Sequence, residues 1–177
     1  MKKALLFGSI GVLTETSELQ RRAYNMALKL NDIEYTWNIG TYCELLKKPG
    51  GKKRLSSFGD EILSDEQIEK IHTDKQRIFE DLVKDGIEPR PGCLQTLKKC
   101  KELGIKVGFV TTTTPKTINI IKEGLSNFLD FEDFDLITSN QKVTFDKPNP
   151  EVYKYALKEL GISANDAVAI EDTTVNQ

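Results

Sequence analysis

Ala4 to Phe7 is a short, wholly apolar run that stops at Gly8-Ser9. A run of this length, apolar on both of its alternating faces, reads as a parallel strand covered on both sides, so the first strand is expected to be central. From Ser17 the rhythm becomes helical: Leu19, Ala23, Met26, Ala27 and Leu30 can share one face, with Ser17 as the expected N-cap and Asn31-Asp32 as the stop. Trp37, Tyr42, Leu45 and Leu46 suggest another short helix, broken at Pro49-Gly50-Gly51. A Ser64 cap followed by Ile68, Ile71, Ile78, Phe79, Leu82 and Val83 predicts a long amphipathic helix. Pro89, Pro91 and Gly92 then mark a change to alternating elements. These are a helix from Cys93 to Leu103, a strand from Lys106 to Val110, a helix from Pro115, a strand from Phe134 to Ile137, a helix from Asn149 to Leu160, and a strand from Ala167 to Ile170.

The expected fold class is therefore α/β, an open parallel Rossmann-like sheet interrupted after its first strand by an all-helical insertion, with right-handed crossovers. The core is expected to comprise residues 1–14 and 88–177, and the helical domain residues 15–87.

Charge narrows the partners. Twenty-five Lys and Arg against 27 Asp and Glu give a net charge of -2, so no global positive field favours nucleic acid or an anionic membrane. No stretch approaches the roughly 18 apolar residues of a membrane span, and the lysines before the first apolar run are not followed by a small-residue cleavage pattern, so a cytoplasmic protein is expected. Cys43, Cys93 and Cys100 lack CxxC spacing and the lone His72 cannot complete a zinc cluster, so the expectation is free thiols.

In an open parallel sheet the site lies beyond the carboxyl ends of the strands. Strand one leads into Gly8-Ser9-Ile10-Gly11, strand two into Thr111 to Thr114, the loop before the third core helix carries Lys147, and strand four delivers Glu171 and Asp172. Thr111 and Lys147 suit a phosphate, aided by amides at a helix N-terminus, and the acidic pair suits Mg²⁺ through oxygen ligands. Thr114 before Pro115 reads equally as a plain helix cap, and Lys147 taken alone as an exposed loop lysine.

Taken in order, FGSIGVL, VGFVTTTTP, KPNPEVY and VAIED resemble the haloacid-dehalogenase-like phosphatase superfamily, in particular members with a helical cap after the first core strand. TYCELLKKPGGKKRL is similar to the cap segment of sugar-bisphosphate phosphatases, including xylulose-bisphosphate phosphatases. The resemblance implies Mg²⁺-dependent phosphoryl transfer through an aspartyl-phosphate. Asp172, Glu171 and the backbone carbonyl of Ile10 would face the metal, Thr111 and Lys147 the phosphate, and Lys52, Arg54 and Glu15 the substrate from the cap side.

It also implies two aspartates in the first motif, a nucleophile and an acid/base. Those positions hold Gly8 and Ile10. Glycine offers no carboxylate and isoleucine exchanges no proton, so turnover is expected to be absent or severely impaired, with phosphate binding retained and Mg²⁺ binding weakened. Two alternatives stay open: a noncatalytic interaction or regulatory scaffold, and an active phosphatase using a displaced carboxylate such as Glu15, with serine chemistry at Ser9 a remoter route. The resembled fold continues past its acidic fourth motif, whereas this chain stops at Gln177, so its last core strand is expected to be an exposed edge through which copies self-associate.

Overall fold

The computed structural model describes residues 2–47, 50–56 and 63–176. In chain order the elements are β1 (Ala4–Phe7), α1 (Ile10–Leu13), α2 (Ser17–Leu30), α3 (Ile39–Leu46), α4 (Gly51–Ser56), α5 (Asp65–Lys84), α6 (Cys93–Glu102), β2 (Lys106–Phe109), α7 (Pro115–Gly124), β3 (Leu136–Ile137), α8 (Glu151–Leu160) and β4 (Ala167–Ile170). The chain forms two compact units, one of residues 1–15 and 86–177, the other of residues 16–85.

In the first unit the sheet runs β3-β2-β1-β4, with every pair parallel. The central place of β1 follows from its composition. Leu6 packs with Val110, Val152, Ala156 and Leu160 on the α8 side. Phe7, the next residue, points the opposite way into an aromatic cluster, its ring 6.1 Å from Phe134 in an edge-on contact. Register places Phe7 beside Phe109 and Ile170, so the carboxyl ends of three strands stop level with one another. Among the described residues β4 pairs only with β1, and its Val168 and Ile170 are 40% and 39% exposed.

The third strand is shorter than the apolar run from Phe134 predicts. Asp135 accounts for the difference: its Oδ2 accepts the Val107 amide at 2.7 Å, so a side chain takes the place of a ladder carbonyl. Phe131–Asp133 just before it turns as a 3₁₀ segment, capped by Asp130, whose side chain accepts the Glu132 amide at 2.9 Å.

The second unit is all helical among the described residues. Its α2 begins at Ser17, but Thr16 is the N-cap and gives no side-chain bond. The buried stripe is Ala23, Tyr24, Ala27 and Leu28, whereas Met26 and Leu30 are exposed. The stripe is rotated because Tyr24 belongs to an aromatic cluster with Trp37, 4.8 Å away, and Tyr42. That cluster and the α5 residues Ile71, Ile78 and Phe79 form the buried side of this unit. Of the expected break at Pro49-Gly50-Gly51, the proline lies outside the described residues. Gly50 has φ +104°, and a Cβ on Gly51 would stand 2.5 Å from the Tyr24 hydroxyl. The expected cap at Ser64 is a full capping box with Gln67.

No helix among the described residues is long and apolar enough to cross a membrane. Cys43, Cys93 and Cys100 are free thiols, the last two buried.

Candidate functional site

Gly8 ends β1 with its amide bonded to the Ile170 carbonyl at 2.8 Å, which brings the first loop against the end of β4. Ser9 follows in extended conformation as the N-cap of α1 and donates its hydroxyl to Asp172 Oδ1 at 2.7 Å. On the other side, Thr111 is 5% exposed. Its amide donates to Thr138 Oγ1 at 2.9 Å, and the Thr138 hydroxyl donates back to the Thr111 carbonyl at 2.8 Å. The Thr111 hydroxyl accepts the Thr113 amide at 3.1 Å, which closes the strand end into a tight turn before α7. Thr114 is the helix cap, accepting the Thr117 amide.

Lys147 joins these strand ends. It is 6% exposed, which overturns the reading of an exposed loop lysine. Its Nζ donates to the Gly8 carbonyl, to the Val110 carbonyl at 2.7 Å and to Glu171 Oε1 at 2.5 Å, and lies 3.2 Å from the Tyr153 hydroxyl and 4.6 Å from the centre of the Tyr153 ring. Burial pushes the ammonium below the usual lysine range, while Glu171 and then Asp172 pull it back. The Tyr153 hydroxyl is driven up, first by burial and then by its bond to Glu171, so it stays protonated and donates to that carboxylate. Glu171 Oε2 is buried and has no hydrogen-bond partner among the described residues.

Gly8, Thr111, Lys147, Glu171 and Asp172 thus meet at the carboxyl end of the sheet. Glu15 pairs with Arg90 at 2.6 Å in the same unit. Lys52 and Arg54 belong to the helical unit, where Lys52 pairs with Glu69 and Arg54 Nε donates to the Leu45 carbonyl at 3.2 Å. Sequence reasoning missed Tyr153 and Thr138. The first looks like one more aromatic on an amphipathic helix, and the second like an ordinary strand-end threonine; only chain packing brings either to Lys147 or Thr111.

The residues present do not fit a magnesium ion. Glu171 is committed to Lys147 and Tyr153, Asp172 to Ser9, and the Ile10 carbonyl accepts the Thr14 amide at 2.9 Å. No three acidic, His or Cys side chains converge among the described residues.

A haloacid dehalogenase-like hydrolase profile matches residues 2–176. The chain belongs to that family. Its relatives include a glyceraldehyde 3-phosphate phosphatase of Methanocaldococcus jannaschii, 33% identical over 97% of this chain and 77% of the relative. Protein CbbY of Cereibacter sphaeroides is 34% identical over 177 residues, spanning 98% of this chain and 77% of the relative. A phosphorylated carbohydrates phosphatase of Thermotoga maritima is 27% identical, spanning 97% of this chain and 76% of its own length. Among solved structures, CbbY from Rhodobacter sphaeroides in complex with phosphate superposes with a TM-score of 0.87 at 32% identity, over 98% of this chain and 79% of that one. A mutant of the same protein, in complex with xylulose-(1,5)bisphosphate, gives 0.86 at 33%, over the same shares. The haloacid-dehalogenase-like core with an inserted all-helical cap is therefore the architecture of this chain.

Proposed function

We propose that this protein is a sugar-phosphate phosphatase relative that has lost turnover, or retains it only severely impaired, and still binds phosphate at Thr111 and Lys147. The observation that carries this reading is the end of β1, where Gly8 and Ile10 supply neither a carboxylate nucleophile nor a proton-transfer group beside a buried lysine. The likeness to a protein crystallised with phosphate and with a sugar bisphosphate supports a phosphorylated sugar as the ligand class. Within the helical unit, Lys52 and Arg54 are assigned as cations for a phosphate group, each exchanging its present partner for it. Glu15 is assigned a hydrogen bond to a sugar hydroxyl, in exchange for Arg90. Magnesium forms no part of this reading, because Asp172 already bonds to Ser9 and Glu171 to Lys147 and Tyr153.

The test is phosphate release from sugar monophosphates and bisphosphates across a magnesium titration, paired with direct binding measurements. Binding without release above the blank is expected, and Thr111→Ala weakens the binding. Robust release that disappears in Glu15→Gln or Ser9→Ala overturns the proposal in favour of a displaced catalytic group.

A second reading, a noncatalytic assembly scaffold, is favoured by one observation: Val168 and Ile170 are 40% and 39% exposed on a strand paired on one side only among the described residues. Sedimentation velocity over a concentration series decides it. Association that Val168→Lys with Ile170→Lys abolishes, in a protein that binds no sugar phosphate, replaces the first reading by the second.

A further inference from the structure

The space beside Gly8 is filled. A Cβ built on that residue would approach the Tyr153 hydroxyl and the Glu171 carboxylate closer than 3.0 Å, a separation real Cβ atoms essentially never show. The volume in which an aspartate would begin is therefore held by the far ends of two side chains from α8 and the end of β4. Neither end is loose. Glu171 Oε1 accepts from both Lys147 and Tyr153, and the Glu171 side chain is 3% exposed. Lys147 in turn is tied to the Gly8 and Val110 carbonyls, so three side chains and two carbonyls make one polar network around the glycine.

We propose that Glu171 is the internal occupant of the anion site: its carboxylate has moved into the place of the missing aspartate, serves as the counter-ion of Lys147, and must leave before a phosphate can take that ammonium. The charge balance supports this. Lys147 is too deeply buried to stand without an anion, and the anion it meets is supplied by the chain itself. The arrangement is incomplete in one respect, because Glu171 Oε2 is left buried without a partner among the described residues. A buried carboxylate oxygen with no donor is costly, so the closed state carries a built-in bias toward release when a competing anion arrives. The same geometry sets an order on any restoration of chemistry. Gly8→Asp cannot be accommodated while Glu171 stays where it is, so the new carboxylate and the ejection of Glu171 come together or not at all.

The occupancy of the cradle stands on geometry alone; the competition with phosphate rests on the reading of Thr111 and Lys147 as an anion site. Two measurements separate them. The first needs no ligand: Gly8→Ala is made in the natural chain and in a background carrying Lys147→Met, Tyr153→Phe and Glu171→Ala, which removes the charged pair together and the hydroxyl that the new methyl would meet. The methyl group lowers the unfolding temperature by about 5 °C or more in the natural chain and much less in the background. Equal losses in both overturn the inference. The second is titration with inorganic phosphate. Glu171→Gln keeps the size and removes the charge, and it tightens phosphate binding about tenfold or more, because a site open only a tenth of the time binds tenfold more weakly than a site always open. Unequal losses together with tighter binding support the inference in full. Unequal losses with phosphate bound equally by the natural chain and Glu171→Gln overturn the competition. Unequal losses with no phosphate bound by either protein support the occupied cradle and overturn the retained phosphate site instead.

Discussion

Lys147 and Glu171 meet at 2.5 Å with side chains only 6% and 3% exposed, 24 positions apart in the chain and joined across the end of the sheet. A buried ion pair contributes modest net stability when intact, yet breaking one is costly, since the surviving charge has neither water nor partner. Lys147→Met alone is therefore expected to cost about 3–5 kcal/mol in urea unfolding. The double change Lys147→Met with Glu171→Ala recovers a large part of it. A double change that costs the sum of the two single changes would show that the two side chains do not act as a pair.

The helical unit holds a second buried cation, and it sets a pH dependence. Lys75 is 4% exposed, donates to Gln20, and lies 4.9 Å from the ring centres of both Tyr24 and Phe79. Burial, with a smaller contribution from Arg54, lowers its pKa from 10.5 to about 7. The unfolded chain then binds more protons than the folded one between about pH 7 and 10.5, so stability rises with pH across that window. The slope from this group is up to about 1.4 kcal/mol per pH unit. Lys75→Met flattens it, and urea midpoints measured from pH 7 to 10 decide the matter.

The Thr111–Thr138 exchange predicts a stability effect with a clean control. Thr138→Val keeps the shape but leaves the Thr111 amide and carbonyl, both previously bonded to one hydroxyl, without it. A loss of about 1–3 kcal/mol is expected, with Thr138→Ser close to the natural chain. A loss in Thr138→Ser with none in Thr138→Val would assign the effect to packing of the methyl group instead.

At the start of α5, the Ser64 hydroxyl accepts the Gln67 amide at 3.2 Å while the Gln67 side chain accepts the Ser64 amide at 2.9 Å. Ser64→Ala removes one half of this exchange and is expected to cost about 1 kcal/mol, read from the thermal unfolding curve. Ser64→Asp retains the acceptor and most of the stability.

Elements whose identity depends on their own residues were legible in the sequence. The apolar run of β1, the capping box before α5 and the Thr114-Pro115 start of α7 each carry their instructions locally. Elements fixed by distant partners were not. The buried face of α2 turns on Tyr24 meeting Trp37, and β3 is cut short because Asp135 bonds to Val107 across the sheet. The site divides in the same way. Which residues sit at the strand ends, and the absence of carboxylates at positions 8 and 10, could be read along the chain. The partner that each finds depends on three-dimensional packing: Glu171 was expected to face a metal and here meets Lys147 directly, with the hydroxyl of a tyrosine from α8 bonded to the same carboxylate oxygen.

The two passages of the chain between core and cap are bound to each other within the core unit. The Thr14 hydroxyl donates to the Glu88 carbonyl at 2.7 Å, and the Arg90 amide donates to the Leu13 carbonyl at 2.7 Å. These contacts close a loop of 74 positions. Closing so long a loop costs about 2 kcal/mol more than closing one of ten residues, a penalty incurred before the core sheet can zip up. A cap that has already collapsed shortens the effective loop and reduces that penalty. Early structure in the inserted segment therefore favours the pairing of β1 with β2, although that segment is interior in sequence.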